Sequence, residues 1–239
     1  MALEPKPWGL RALALVSGAI LLCWSLGNIV TLAAVKLGWI ADRDLPLAGA
    51  VAMGFTFDVA GLVFIALFLK KQGVSLADAF GLGRGPLGPA MVRAVLLCLL
   101  VFPIVYGTMF LWQEVLLAFG ITPKEQDILK MIRAAKNPLL RGYLLALAVG
   151  VAPMFEEVFF RGFMYPALKQ RLGVTGGLAV VSLLFASVHL NLNAFVPIFA
   201  LGMMLGLTYE MTGTILVPIT VHALFNGANL LLLLFLPEP

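Results

Sequence analysis

The chain has 239 residues, of which 62% are hydrophobic and 12% charged, where an ordinary soluble domain carries about 25% charged residues. With a mean hydropathy of +1.03, the apolar surplus is too large to hide inside a soluble fold of this length, so it must face lipid. The net charge of +4 does not indicate nucleic acid, because the basic residues sit between apolar runs, where they meet anionic headgroups instead.

A bilayer core of about 30 Å takes roughly 20 apolar helical residues, and charged residues mark where such spans begin and end. Nothing charged lies between Arg11 and Lys36, a run too long for the apolar core of a signal peptide and therefore read as a retained first span. A second span, about 47–69, holds one acid, Asp58, and a third, about 94–119, carries Glu114 near its end. Thr122-Pro123-Lys124-Glu125 reads as a capping box that opens an amphipathic helix with Ile128, Met131, Ile132 and Ala135 on one face, suited to the membrane surface or to a solvated loop.

The fourth span, about 142–168, is unusual because Glu156, Glu157 and Arg161 stand in its middle. No Asp, Glu, Lys or Arg lies between Arg171 and Glu210, but Asn191-Leu192-Asn193 interrupts that stretch, giving spans of about 177–190 and 195–209. A last span follows at about 215–236. The count is seven helices, or eight if Pro153 or Gly162 breaks the fourth. The lack of apolar/polar alternation excludes a strand barrel. The expected fold is therefore an all-α polytopic integral membrane protein of seven or eight transmembrane helices enclosing a polar catalytic cavity. It is read as a single membrane domain, 1–239, with a motif-bearing core at 140–230.

Cys23 and Cys98 both lie inside apolar runs, which argues against a disulfide framework. Gly83 to Gly88 fits a G-x-G-x-x-G, but no soluble strand precedes it and Pro86 would withhold a backbone donor, so it reads as a loop. Gly202 and Gly206 form a G-x-x-x-G suited to close packing of two helices within the chain. Basic residues divide eight to seven between the two sides and leave the orientation open.

Ionisable groups at membrane depth are costly and mark function by default. Glu157 and Arg161, four apart, share a face and can pair, whereas Glu156 is rotated about 100° away and keeps a free carboxylate suited to a general base. The only two histidines, His189 and His222, fall in later spans. Phe185 precedes His189 by one turn, and His222 and Asn226 project together as donors able to stabilise an oxyanion.

Glu156-Glu157-x-x-x-Arg161, Phe185-x-x-x-His189 and His222-x-x-x-Asn226 resemble, in order and on separate helices, the EExxxR, FxxxH and HxxxN motifs of the CAAX-protease and bacteriocin-processing family. These are intramembrane glutamic endopeptidases that include the type II CAAX prenyl proteases. The resemblance implies peptide-bond hydrolysis without a covalent intermediate: Glu156, helped by His189, activates water, and His222 and Asn226 hold the oxyanion. Glu157, Arg161 and Phe185 take supporting roles, and neither cofactor nor metal is implied. The implied partners are the lipid bilayer and a membrane-associated protein or peptide substrate, prenylated or not. The implied location is a prokaryotic cell membrane, or the endoplasmic reticulum in a eukaryote.

Rival readings use the same cluster. Two histidines and a carboxylate suggest zinc, but no HExxH is present and a catalytic zinc takes three protein ligands. A G-x-S-x-G is lacking, as is a second acid placed to pair with Asp58, so Asp58 and Glu114 read as helix-contact or cavity residues. A non-proteolytic adaptor, immunity factor or proton-coupled carrier would use the cluster as scaffold or relay, although a carrier usually shows an internal repeat.

Overall fold

The computed structural model of the chain describes all residues except 1, 2, 4, 84, 123–126 and 236–239; the side chains of 127–129 and 233–235 are also outside the description. The described residues form helices and no strands: α1 (Leu10–Lys36), α2 (Asp42–Lys71), α3 (Leu76–Phe80), α4 (Leu87–Ala118), α5 (Asp127–Ala134), α6 (Pro138–Val188), α7 (Phe195–Thr212) and α8 (Leu216–Phe235). Five helical stretches among them are long and apolar enough to cross a membrane, and a shorter apolar stretch, Leu216–Leu232, lies in α8. The chain is thus a polytopic all-α integral membrane protein. Large apolar side chains such as Leu15, Leu22, Ile29, Leu96, Leu99 and Leu111 stay exposed on α1 and α4, where lipid replaces a protein neighbour.

With 51 residues, α6 would measure about 76 Å if straight, more than twice the bilayer core. It is not straight. Gly173 has φ 68° and ψ −175°, a left-handed conformation that favours glycine, and there the helix folds back on itself. The backbone of Lys169 comes within 3.1 Å of where a side-chain carbon would stand on Gly177, and the rings of Phe160 and Phe185 meet at 5.2 Å. The two arms, 138–172 and 174–188, correspond to the separate spans expected from the sequence.

Neither Pro153 nor Gly162, the expected breakpoints, interrupts the first arm. Pro153 follows a π-helical turn, Leu147–Val151, a wide turn that accommodates the missing N–H. Gly162 makes room for α3, since a side-chain carbon there would stand 2.7 Å from the ring of Phe80.

Three apolar clusters hold the helices together. The largest joins α1, α2, α3 and both arms of α6 through Ile20, Ile65, Phe80, Phe155, Phe163 and Phe185, and it reaches Tyr209 of α7. A second packs α4 against α7 and α8 through Val101, Val105, Leu205, Val221 and Phe225. The third seats α5: Ile132 is buried against Leu144 and Leu230, with Met131 and Ala135 partly buried beside it. The expected amphipathic helix is therefore present and docked; Pro123 to Glu125 of its capping box lie outside the described residues. Both cysteines are free.

At the end of the bundle where the arms of α6 turn, Leu3, Lys6 and Trp8 are tied down. The Trp8 indole donates to the Phe163 carbonyl at 2.9 Å, and the Gln170 amide donates to the carbonyls of Lys6 and Trp8. Lys169 Nζ reaches the Leu3 carbonyl at 3.2 Å and Glu210 Oε1 at 2.6 Å, and Glu210 also accepts from the Tyr165 hydroxyl at 2.8 Å.

Gly202 and Gly206 pack α7 against the second arm of α6, within one chain. A side-chain carbon on Gly202 would come within 3.0 Å of Ser182 Cβ and 3.2 Å of its Cα. Gly202→Leu is expected to lower the melting temperature in detergent, at a cost of about 1–3 kcal/mol for overpacking. Gly18→Leu, at an open position on α1, should leave melting nearly unchanged; equal effects at both sites would refute the close packing.

Candidate active site

In the first arm of α6, Glu157 begins a π-helical stretch, Glu157–Met164, and Arg161 lies one turn later. Both are fully buried, and Arg161 Nη1 donates to Glu157 Oε1 at 2.6 Å. The expected i,i+4 pair is present. Arg161 Nη2 donates to the Gly202 carbonyl at 3.1 Å, a backbone atom within reach because Gly202 lets α7 approach so closely. The guanidinium carbon sits 4.3 Å from the centroid of the Phe185 ring, a cation–π contact from the second arm.

His222 comes from α8 and is 3% exposed. Its Nδ1 lies 2.9 Å from Glu157 Oε1; a carboxylate accepts in such a contact, so Nδ1 donates. Its Nε2 faces Glu156 Oε2 at 3.7 Å, too far for a hydrogen bond. One imidazole therefore stands between both glutamates. Sequence geometry had Glu156 pointing away from its neighbour; the structure turns both acids toward α8, where the regular helix gives way to the wide turn. Glu157 is neutralised by Arg161, while Glu156 keeps 21% of its side chain exposed and makes no ion pair with a lysine or arginine among the described residues.

Asn226, one turn after His222 on α8, donates from Nδ2 to the Ala148 carbonyl at 3.0 Å. In a π turn the carbonyl of residue 148 would look to the N–H of residue 153, and Pro153 has none. The carboxamide fills that vacancy. Its nitrogen carries two hydrogens, so one bond fixes the side chain and the second remains for a ligand.

His189 caps the second arm of α6, with Nδ1 2.7 Å from the Phe185 carbonyl. A carbonyl only accepts, so Nδ1 holds the hydrogen, and Nε2 is not engaged by that bond. The Phe185 ring lies 4.9 Å from the ring of His189 and 5.9 Å from that of His222. No ion pair links His189 to Glu156 among the described residues; the imidazole facing Glu156 is His222. Sequence reasoning missed the role of Phe185 as the common wall of both histidines and Arg161, and it missed the two backbone carbonyls of Ala148 and Gly202. Glu114 is exposed on α4, outside the cluster. No three His, Cys, Asp or Glu side chains converge as metal ligands among the described residues.

Replacing one member of a buried ion pair leaves a charge uncompensated and costs about 3–5 kcal/mol, while removing both charges is often near neutral. Arg161→Leu is therefore expected to reduce the folded yield and melting temperature sharply, and Glu157→Leu combined with Arg161→Leu should recover part of the loss. A double variant no more stable than Arg161→Leu alone would show that the pair is not the source of the cost.

Residues 138–228 match the family model described as Type II CAAX prenyl endopeptidase Rce1-like. The membrane-embedded CAAX protease MroQ of Staphylococcus aureus (strain USA300) is 36% identical over 95 residues, covering 37% of this chain and 38% of that protein. The uncharacterized protein YpbD of Bacillus subtilis (strain 168) is 33% identical over 76 residues, covering 30% of this chain and 36% of that one. The matches thus span little more than a third of the length of these curated relatives. No solved structure matches the chain. The matched segment runs from the start of α6 into α8 and contains all three motifs, so the likeness to Rce1-like CAAX prenyl endopeptidases is carried by these helices.

Proposed function

We propose that the protein is an intramembrane endopeptidase of the glutamic type, acting on membrane-associated protein or peptide substrates. The observation that carries this reading is the asymmetry of the two adjacent acids. Glu157 is buried and paired, while Glu156 is partly exposed, without a cation of its own, and faces an imidazole. A carboxylate without a cation, partly open to a ligand and beside an imidazole, is suited to act as a general base.

In this mechanism Glu156 takes a proton from water as the water oxygen adds to the peptide carbonyl carbon. His189, its Nδ1 engaged by the Phe185 carbonyl, offers Nε2 to the same water and orients it. The carbonyl oxygen gains charge and accepts from the second Asn226 Nδ2 hydrogen and from His222 Nε2 when that nitrogen carries a proton. Glu157 and Arg161 hold His222 in place. Collapse of the tetrahedral intermediate breaks the C–N bond, and the proton held by Glu156 passes to the leaving nitrogen. A site walled by helices is reached from the bilayer or its interface more readily than from bulk water, which favours substrates already held at the membrane, prenylated CaaX-type chains among them.

The deciding experiment is incubation of the purified protein with a farnesylated peptide, followed by mass analysis of the products. Glu156→Gln is expected to abolish cleavage with unchanged melting; a Glu156→Gln protein that cleaves at the wild-type rate overturns the assignment. Asn226→Ala is expected to lower kcat by about 100- to 1,000-fold, as loss of one oxyanion donor does, with KM changed far less. Normal turnover per folded molecule would remove Asn226 from the site.

A further inference from the structure

Asp58 is the one acid of α2's apolar stretch, and the mechanism above does not use it. It stands in a π-helical turn, Gly54–Val59, a kind of turn frequent at functional sites. Its side chain is 3% exposed, and its Oδ2 is buried with no hydrogen-bond partner among the described residues. It interacts electrostatically with Glu156 and Tyr143 of α6. The ring of Phe57 meets that of Phe155 at 5.1 Å, so the turn bearing Asp58 abuts the turn bearing Glu156.

Glu156 therefore has His222 on the α8 side and Asp58 on the α2 side. The nearby guanidinium of Arg161 is bonded to Glu157 and Gly202. No ion pair joins Asp58 to a cation among the described residues. Two interacting acids at membrane depth, neither in an ion pair with a lysine or arginine among the described residues, are costly unless something else meets them. Peptide hydrolysis makes a suitable cation: water and the amide give a new carboxylic acid and an amine, and transfer of the acid's proton leaves a carboxylate and an ammonium.

We propose that Asp58, together with Glu156, forms the subsite that receives the amine of the leaving peptide, a primary ammonium ligand. This rests on the reading of Glu156 as the base. Asp58 accepts hydrogen bonds from the nitrogen as the C–N bond breaks and its electron pair returns to nitrogen, and it holds the ammonium until the product leaves. In Asp58 the subsite draws on a helix outside the matched segment.

The test compares trileucine with its desamino analogue, which differs only in lacking the N-terminal amine. Binding is read by the melting shift of the full chain in detergent and by inhibition of farnesylated-peptide cleavage. Hydrogen bonds to a charged group are strong enough that wild type is expected to prefer the amine by about tenfold or more. Asp58→Asn should abolish the preference, and Asp58→Glu should keep part of it. Equal binding of the two peptides by wild type, or an undiminished preference in Asp58→Asn, overturns the proposal, and the wild-type comparison decides even if the variants fold poorly. A wild type that shows the preference but cleaves nothing would refute the endopeptidase reading while leaving an amine site. A wild type that cleaves but shows no preference would refute the subsite alone.

Discussion

Two full charges with no access to water organise the centre of this molecule. A guanidinium and a carboxylate at membrane depth are costly unless they are paired and further contacts offset the loss of water. Arg161 and Glu157 satisfy each other first, at 2.6 Å. Part of what remains is met from three directions, the Gly202 carbonyl on α7, the Phe185 ring on the second arm of α6 and His222 on α8, while Glu157 Oε2 and Arg161 Nε are buried with no hydrogen-bond partner among the described residues. Each of those contacts needs a particular helix at a particular distance, so meeting the electrostatic demand also sets the packing. The turn at Gly173 and the close approach at Gly202 are the steric conditions for it.

The polar groups around that centre coincide with departures from regular helix. Asp58 lies in one wide turn, Ala148 in a second, and Glu157 and Arg161 in a third. A regular helix spends its backbone groups on itself, whereas a π turn changes which side chains face inward and which carbonyl is available. The bond from Asn226 to the Ala148 carbonyl depends on this: a proline five residues downstream denies the carbonyl its π-helical partner, and a side chain from another helix takes the place.

Much of this was legible in the sequence. The spans follow from the positions of charged residues, the Glu157–Arg161 pair from a spacing of four, and the packing role of Gly202 and Gly206 from their spacing. These are local regularities of a helix, which the sequence records directly. What was not legible depends on how helices meet. Periodicity placed Glu156 away from Glu157, yet a histidine 65 positions on from Glu157 faces both. Pro153 and Gly162 looked like breakpoints because each weakens a helix in isolation, while the actual break, Gly173, is one of many glycines until its backbone angles are known. Asp58 could be recognised as an isolated acid, but not as a neighbour of Glu156, because the two lie almost a hundred residues apart.

The ties that hold Leu3, Lys6 and Trp8 also bear on how the protein is made. Leu3 and Trp8 leave the ribosome before every residue that secures them, and their partners, Phe163, Lys169, Gln170 and Glu210, follow about 155 to 207 positions later. Contacts of such sequence separation form late, since the intervening loop must first be closed at an entropic cost. These residues must therefore wait at the membrane surface while α1 through α7 are inserted. That seam closes only after α6 has folded back and α7 has been delivered, so residues made before α1 reach their final places after the helices that follow them, and their docking registers that those insertion steps have succeeded.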